Sequence, residues 1–295
     1  MNAVLYIDEN PELTRAFDEA GIGYIKVNSS QLTFLNKDNK EKIFVDGEEI
    51  NLDEFSGVVF LPSESNNFSL STFLTSNKVK GIYNTMDSIH RAKNKFWSYQ
   101  DFKGAGLRMP TTVCINPYKL RQEVLDKILK ENFNKEIYLV KPNDASWGYG
   151  VFLSCGAKEI LTKIRLDRNL PKSKVWFIQD YISPNKRIDE RHMVFNNEVV
   201  SSAYKIGAEG RIATNIYLGG KWGVMPEIDD ETREMCVKAT NAVGLTYSGV
   251  DIIRDENGTP YLLEINDSPS HSICAGVGKN HYFKITDYIL QNWDK

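Results

Sequence analysis

The stretch that most constrains this chain is SGVDIIRDENGTPYLLEINDSP, residues 248–269. Two apolar runs flank Asp255-Glu256-Asn257-Gly258, a turn signal, and predict a β-hairpin. A two-residue turn at Asn257-Gly258 sets Asp251 opposite Glu264. A four-residue turn moves the pairing by two positions and leaves both residues on the same face. Side chains alternate along a strand, so Asn266 joins that face, as does Leu262. Carboxylates that close repel one another unless something positive lies between them. Oxygen donors in this number suit Mg²⁺, which completes its shell with water and phosphate oxygens. The competing reading is a solvent-facing hairpin with polar residues at alternate positions. Leu262 on that face, and a turn that already supplies solubility, weigh against it.

A chain of 295 residues buries about three quarters of its unfolded surface and divides into two or three subdomains. Charged residues make up 25% and hydrophobic ones 41%, an ordinary globular mix. The net charge of −3 gives no electrostatic case for nucleic acid as a partner. No apolar run reaches the roughly 18 residues of a membrane helix, and MNAVLYIDEN reads as a strand, not a signal peptide. Cys114, Cys155, Cys236 and Cys274 are scattered, with no CxxC pair, which fits reduced thiols and a cytoplasmic location. His90, His192 and His281 form no cluster that suggests zinc.

In chain order, strands at 3–8, 24–27, 57–61 and 81–84 alternate with helices at 11–20 and 71–76, with polar hairpins over 31–52. This pattern predicts a small, mainly parallel α/β domain over residues 1–85. It lacks a phosphate-binding glycine motif after its first strand. One helix is predicted over 88–103, capped by Asp87, then a strand at MPTTVCI and an amphipathic helix over 118–131. The strand at 136–142 ends in Lys141-Pro142. The loop NDASWGYGV follows, and its glycines let backbone amides approach an anion. A helix over 157–168, strands at 175–182, 188–195 and 198–206, a helix over 229–243, the hairpin and a closing helix over 281–293 complete the reading.

Together these motifs resemble the ATP-grasp superfamily, its RimK-like branch in particular, over roughly residues 85–290. The likeness rests on the helix lysine of NKFWS, on LVKP with ASWGYGV, on QDYI, on Asp189 and Arg191 as D-x-R, on Asn215 with Gly219-Gly220, on GVDIIR and on LLEINDSP. Each is short; their joint order and spacing carry the resemblance. It implies an ATP-grasp fold of α/β and α+β class. The small N-terminal α/β domain (1–85) would precede two α+β lobes clasping ATP, a central one (86–174) and a C-terminal one with the metal site (175–295).

By that resemblance Lys95 and Lys141 contact the α- and β-phosphates. The loop carrying Ser146, Trp147, Gly148 and Gly150 closes over the β- and γ-phosphates. Gln179, Asp180, Tyr181 and Ile182 line the adenine, Tyr181 and Ile182 largely through backbone. Leu263 packs on the adenine from the opposite face of the hairpin, and Asp189 reaches the ribose. Asp251, Glu264 and Asn266 hold Mg²⁺, with Mn²⁺ as an alternative. Arg191 and Asn215 face the γ-phosphate and the reacting carboxylate. The branch often has Phe-Arg-Ser-Asn where this chain has Ile212-Ala213-Thr214-Asn215. Arg211, two positions before the missing arginine, points the same way along an extended segment and is the candidate substitute. Leu218 replaces the usual arginine before Gly-Gly, Asp267 stands where a small residue is usual, and Lys205 falls where a basic residue is often found.

The implied reaction activates a substrate carboxylate as an acyl-phosphate and passes it to an amine of an amino acid, peptide or protein end. It needs positioning and charge neutralisation rather than a protein nucleophile. A peptide-modifying enzyme forming ester or amide side-chain links in a precursor, and an idle nucleotide-binding module acting through partners, are the alternatives. The expected partner is a small molecule or peptide. The family often forms dimers or tetramers, which leaves a homo-oligomer open. Ser268 and Ser270 either line the acceptor site or cap a turn, and His271, near the C-terminal loop, is either a general base or an incidental loop histidine.

Overall fold

The computed structural model describes residues 3–38, 40–61, 68–143, 148–183, 188–207, 221–225, 227–269 and 282–293. The chain opens with β1 (Val4–Ile7), α1 (Pro11–Ala20) and β2 (Tyr24–Val27). Asn10 caps α1 by accepting the amides of Glu12 and Leu13, and Gly21 ends it at φ 66°. The meander β3 (Leu32–Lys37), β4 (Lys40–Val45) and β5 (Glu48–Ile50) follows, and its second turn, Asp46-Gly47, has positive φ at both residues. Next come β6 (Gly57–Phe60), α2 (Phe68–Ser76) and β7 (Gly81–Ile82). The parallel sheet runs β2-β1-β6-β7. β1 and β6 are buried throughout, as strands covered on both faces must be.

The single helix expected over 88–103 is two helices, α3 (Met86–Lys93) and α4 (Lys95–Gly104). Asn94 interrupts them. It takes an extended conformation and its side chain accepts the amides of Phe96 and Trp97, satisfying donors that a helix start leaves open. Thr85, not Asp87, caps α3. The break puts Lys95 on the first residue of α4. Then come β8 (Thr112–Ile115), α5 (Gln122–Asn132), β9 (Tyr138–Pro142), β10 (Phe152–Ser154), α6 (Ala157–Leu166) and β11 (Trp176–Asp180). They form an antiparallel sheet in the order β10-β9-β11-β8. Tyr138, Val140, Trp176 and Ile178 face α5 and α6 in one core. Alternation therefore turns Lys141, Phe177 and Gln179 to the other face.

The third sheet holds β12 (Ile188–Phe195), β13 (Glu198–Ile206), β14 (Lys221–Val224), β15 (Tyr247–Arg254) and β16 (Pro260–Asn266), with α7 (Asp230–Val243) and α8 (Tyr282–Asn292) beside it. Its order is β14-β13-β12-β15-β16, antiparallel throughout. β14 was not expected. Gly223 permits it, since a Cβ there would meet the Tyr204 ring at 2.2–2.7 Å. α7 packs against Val250, Ile252, Leu262 and Ile265, while α8 joins this sheet to β1, β6 and α1. No helix among the described residues is long and apolar enough to cross a membrane.

The hairpin differs from both expected turns. Its loop spans Asp255–Thr259, between the pair Arg254↔Pro260. The Asp255 carboxylate accepts the amides of Asn257 and Thr259 and closes it. That register alone would not place Asp251 opposite Glu264. A β-bulge restores the pairing: Ile252 pairs with Leu262 and Asp251 with Glu264, leaving Leu263 as the extra residue. Leu262 therefore does not share the face of Asp251, as the sequence suggested; it is buried with Ile252 in the core. The bulge frees two backbone groups from the ladder. The Leu262 amide donates to the Arg108 carbonyl at 2.9 Å, and the Leu263 carbonyl accepts the Tyr99 hydroxyl at 2.9 Å.

Buried Asn84 ties the parallel sheet to this region. Its Oδ1 accepts the amides of Thr246 and Tyr247, and its Nδ2 donates to the carbonyls of Tyr247 and Asp267. The segment that follows β16 is thus anchored by a residue from the end of the parallel sheet.

Candidate active site

On one face of the third sheet, β12, β13, β15 and β16 set a row of charges side by side. Arg191 stands directly across from Asp251, Asp251 across from Glu264, and Asp189 across from Lys205. Arg191 donates Nε to Asp251 Oδ1 at 2.6 Å and Nη2 to Oδ2 at 2.7 Å, the two-point fit of a planar guanidinium. Lys205 Nζ donates to Asp251 Oδ1 at 3.0 Å and pairs with Asp189 at 3.2 Å. Burial pushes the Asp251 carboxyl up, but Arg191 and Lys205 pull it further the other way, well below the usual carboxylate range. Burial likewise opposes the charged forms of Lys205 and Arg191, but the nearby carboxylates, Asp251 first and Asp189 with it, together outweigh it, so both are held above their ordinary values.

The opposite face of β12 carries a separate cluster. His192 lies 3.1 Å from Glu190, and Arg254 bonds Glu190, Asp229 and Thr232 at 2.6–2.7 Å. It fastens the sheet to the start of α7 and is turned away from the row of charges.

A second polar centre forms where α4, β9, β11 and the hairpin meet. Lys141 Nζ and Gln179 Nε2 each donate to the Tyr99 hydroxyl at 2.9 Å, and that hydroxyl donates onward to Leu263. Gln179 Nε2 also donates to Thr112 Oγ1 at 2.8 Å. Lys141 is only 7% exposed, and its ammonium also lies 5.3 Å from the centre of the Tyr99 ring. Among the described residues Lys141 has no carboxylate partner. A buried cation held only by a hydroxyl and a ring is suited to an anionic ligand. Sequence reasoning missed Tyr99. The signal was its position four residues after Lys95, on the same helix face.

The remaining candidates fall as follows. Lys95 Nζ donates to the Asn143 carbonyl at 3.5 Å, at the start of the loop that Gly148 and Gly150 close with φ of 74° and 79°. A Cβ on Gly150 would also meet Pro171 at 2.8 Å, so this turn excludes a side chain. The Tyr181 amide donates to Ile137 and its carbonyl accepts Lys135. The Ile182 backbone makes no hydrogen bond among the described residues. Asp180 Oδ1 and Gln179 Oε1 are buried without a hydrogen-bond partner there. Ser146, Trp147, Arg211 and Asn215 lie outside the described residues, as do His271 and Ser270.

Whether Asp251, Glu264 and Asn266 suit Mg²⁺ depends on which oxygens are open. The donor set is hard oxygen, as Mg²⁺ requires. Asn266 Nδ2 donates to Gly249 and to Asp251 Oδ2, both at 3.2 Å, which leaves its Oδ1 to another partner. Glu264 makes no hydrogen bond or ion pair among the described residues. These two fit. Asp251 already accepts four donors, two from Arg191 and one each from Lys205 and Asn266, which fills a carboxylate's lone pairs. No group of three or more His, Cys, Asp or Glu residues able to hold a metal occurs among the described residues.

A family model described as the RimK-like ATP-grasp domain matches residues 92–289. The tetrahydromethanopterin:alpha-L-glutamate ligase of Methanocaldococcus jannaschii is 32% identical over 213 residues, covering 71% of this chain and 69% of that protein. Among solved structures, the RiPP-associated ATP-grasp ligase of Chryseobacterium gregarium, in complex with ADP and a leader and core peptide, superimposes with a TM-score of 0.71. It is 16% identical, and the match covers 100% of this chain and 98% of that one. The ATP-grasp ligase PsnB, complexed with minimal precursor, Mg and ADP, also gives 0.71, at 18% identity, covering 99% of this chain and 98% of that one.

Proposed function

We propose a reaction for this chain from the premise that it belongs to the RimK-like ATP-grasp family. It is an ATP-dependent carboxylate–amine ligase with an ATP-grasp fold. A substrate carboxylate attacks the γ-phosphorus of ATP, the bond to the bridging oxygen breaks, and ADP leaves. An amine then attacks the acyl-phosphate and expels phosphate, so the two substrates join with loss of one water. The observation that carries this reading is Lys141, a buried ammonium with no carboxylate partner among the described residues, beside Gln179 and the hairpin that carries Glu264.

Lys141 and Lys95 bind the α- and β-phosphates, and the Gly148–Gly150 turn, with Ser146 and Trp147, covers the β- and γ-phosphates. Gln179 to Ile182 and Leu263 enclose the base, and Asp189 is offered to the ribose. Glu264 and Asn266 offer oxygens to Mg²⁺, and Asp251 joins them by exchanging one of its present donors. When bound, the ion supplies positive charge to the phosphate oxygens. Arg191, with Asn215 and Arg211, receives the γ-phosphate and the substrate carboxylate, which a planar guanidinium grips at two points.

Amine acceptors of the amino-acid or peptide type are favoured by the glutamate-ligase relative. A precursor peptide is the second reading, favoured by structural neighbours that were solved with one and that match the whole chain in fold. Free thiols at Cys114, Cys155 and Cys236 suit a reducing, cytoplasmic setting. The test is to incubate the protein with ATP, Mg²⁺ and candidate carboxylate and amine pairs, or a precursor peptide. Acceptor-dependent ADP release with a product lighter by one water supports the reading. ADP release that ignores every acceptor, with no such product, overturns it.

A further inference from the structure

The Tyr99 hydroxyl has one proton and two lone pairs, and the structure accounts for all three. Its proton goes to the Leu263 carbonyl, which can only accept. Its lone pairs must therefore receive donors, and Lys141 and Gln179 supply them. Thr112 is constrained in the same way. Its hydroxyl donates to the Pro110 carbonyl at 2.7 Å, so towards Gln179 it can only accept. Both neighbours of the Gln179 amide therefore demand its NH₂ group. The amide orientation is fixed by this proton inventory, and Oε1 is left buried without a partner among the described residues.

We propose that the Tyr99 hydroxyl is a positioning group for bound nucleotide, holding the Lys141 ammonium for the phosphates and, with Thr112, turning Gln179 so that Oε1 faces the base. This rests on the nucleotide reading above. A fixed acceptor favours adenine, whose exocyclic amino group donates, over guanine, which presents O6 at that edge. The bulge at Leu263 is what sends the Tyr99 proton to the hairpin and so reserves its lone pairs. One hydroxyl thereby couples the phosphate end of the site, the base end and the strand carrying Glu264.

Calorimetric titration of the full chain with ADP, GDP and AMP in MgCl₂ tests this. The wild type binds ADP more tightly than GDP. Tyr99→Phe keeps the ring, which packs edge-on to Phe177 at 5.4 Å, and removes only the hydroxyl. It weakens ADP by about tenfold and lowers both the ADP/GDP and the ADP/AMP preference, since it releases two donors, one of them charged. Thr112→Val lowers the ADP/GDP preference and leaves ADP/AMP unchanged. A purely structural role for Tyr99 lowers the melting temperature without moving either ratio. Ratios within about twofold of wild type in Tyr99→Phe overturn the proposal. So does a wild type that does not prefer ADP. If Tyr99→Phe fails to fold, an unchanged ADP/GDP ratio in Thr112→Val overturns it. A wild type that binds none of the three overturns the nucleotide reading as well. Wild-type ADP binding with unchanged variants overturns the positioning role alone.

Discussion

Arg191 and Asp251 face each other across β12 and β15 and meet at two points, 2.6 and 2.7 Å apart. With Lys205 on the same carboxylate, one anion holds two buried cations. Removing it breaks the Arg191 ion pair and leaves Lys205 to Asp189 alone, which costs far more than the net value of the pair. Asp251→Ala should destabilise the fold by about 3–5 kcal/mol, read from urea denaturation. A loss under about 1 kcal/mol, the range of an exposed pair, would show that the row is solvated.

The same carboxyl gives the fold an acid limit. Its folded pKa is depressed, so its stabilising contribution is complete above the unfolded value, about 3.9. The contribution is lost as pH falls from there towards the folded value. Below about pH 4 stability should fall by up to about 1.4 kcal/mol per pH unit from this group. Lys205 and Arg191 are shifted up; their contribution is complete below their unfolded values and is lost only on strong alkalinisation. Denaturant midpoints from pH 7 to pH 3 measure the slope, and Asp251→Asn should flatten it.

Glu264 presents the reverse case. With no hydrogen bond or ion pair among the described residues, and only a longer-range attraction to Arg191, its removal should change stability by no more than about 0.5 kcal/mol. Glu264→Ala should nonetheless abolish turnover and the rise in melting temperature on adding MgCl₂ with ADP. A variant that keeps its Mg²⁺ response removes Glu264 from the metal site.

Lys141→Ala should abolish ADP production while the protein stays folded, since no carboxylate among the described residues is left unpaired. Circular dichroism and an ADP-release assay check the two halves. Undiminished ADP release would exclude Lys141 as a phosphate contact.

Asn84→Ala removes four hydrogen bonds and strands buried backbone groups of Tyr247. A loss of at least about 2 kcal/mol is expected. Because Asp267 follows Asn266 directly, Mg²⁺-dependent ADP affinity should weaken too. Calorimetry that finds affinity unchanged would confine Asn84 to a structural role.

Much of the chain was legible because its signals are local. Alternation and glycine-bearing turns marked most strands, and Pro11, Gly21 and Asp229 marked helix ends. The break at Asn94 was hidden because Arg91, Lys93 and Lys95 read as one continuous basic helix, and only the capping bonds of Asn94 divide it. The register Asp251↔Glu264 was reached by a different route from either expected turn. A longer loop and a bulge at Leu263 give the pairing that a two-residue turn would have given, because burying Leu262 with Ile252 fixes the strand from the core side.

By itself the sequence determined which residue types stand on which strands, and hence that oxygen donors and lysines would gather near the hairpin. Only the tertiary structure decided their partners. Tyr99 meets Lys141, Gln179 and Leu263 across 42, 80 and 164 residues of chain, and Lys205 meets Asp251 across 46. Such contacts have no periodicity to betray them. They follow from where whole sheets pack, and that is set by apolar surface area, not by the polar groups the packing brings together.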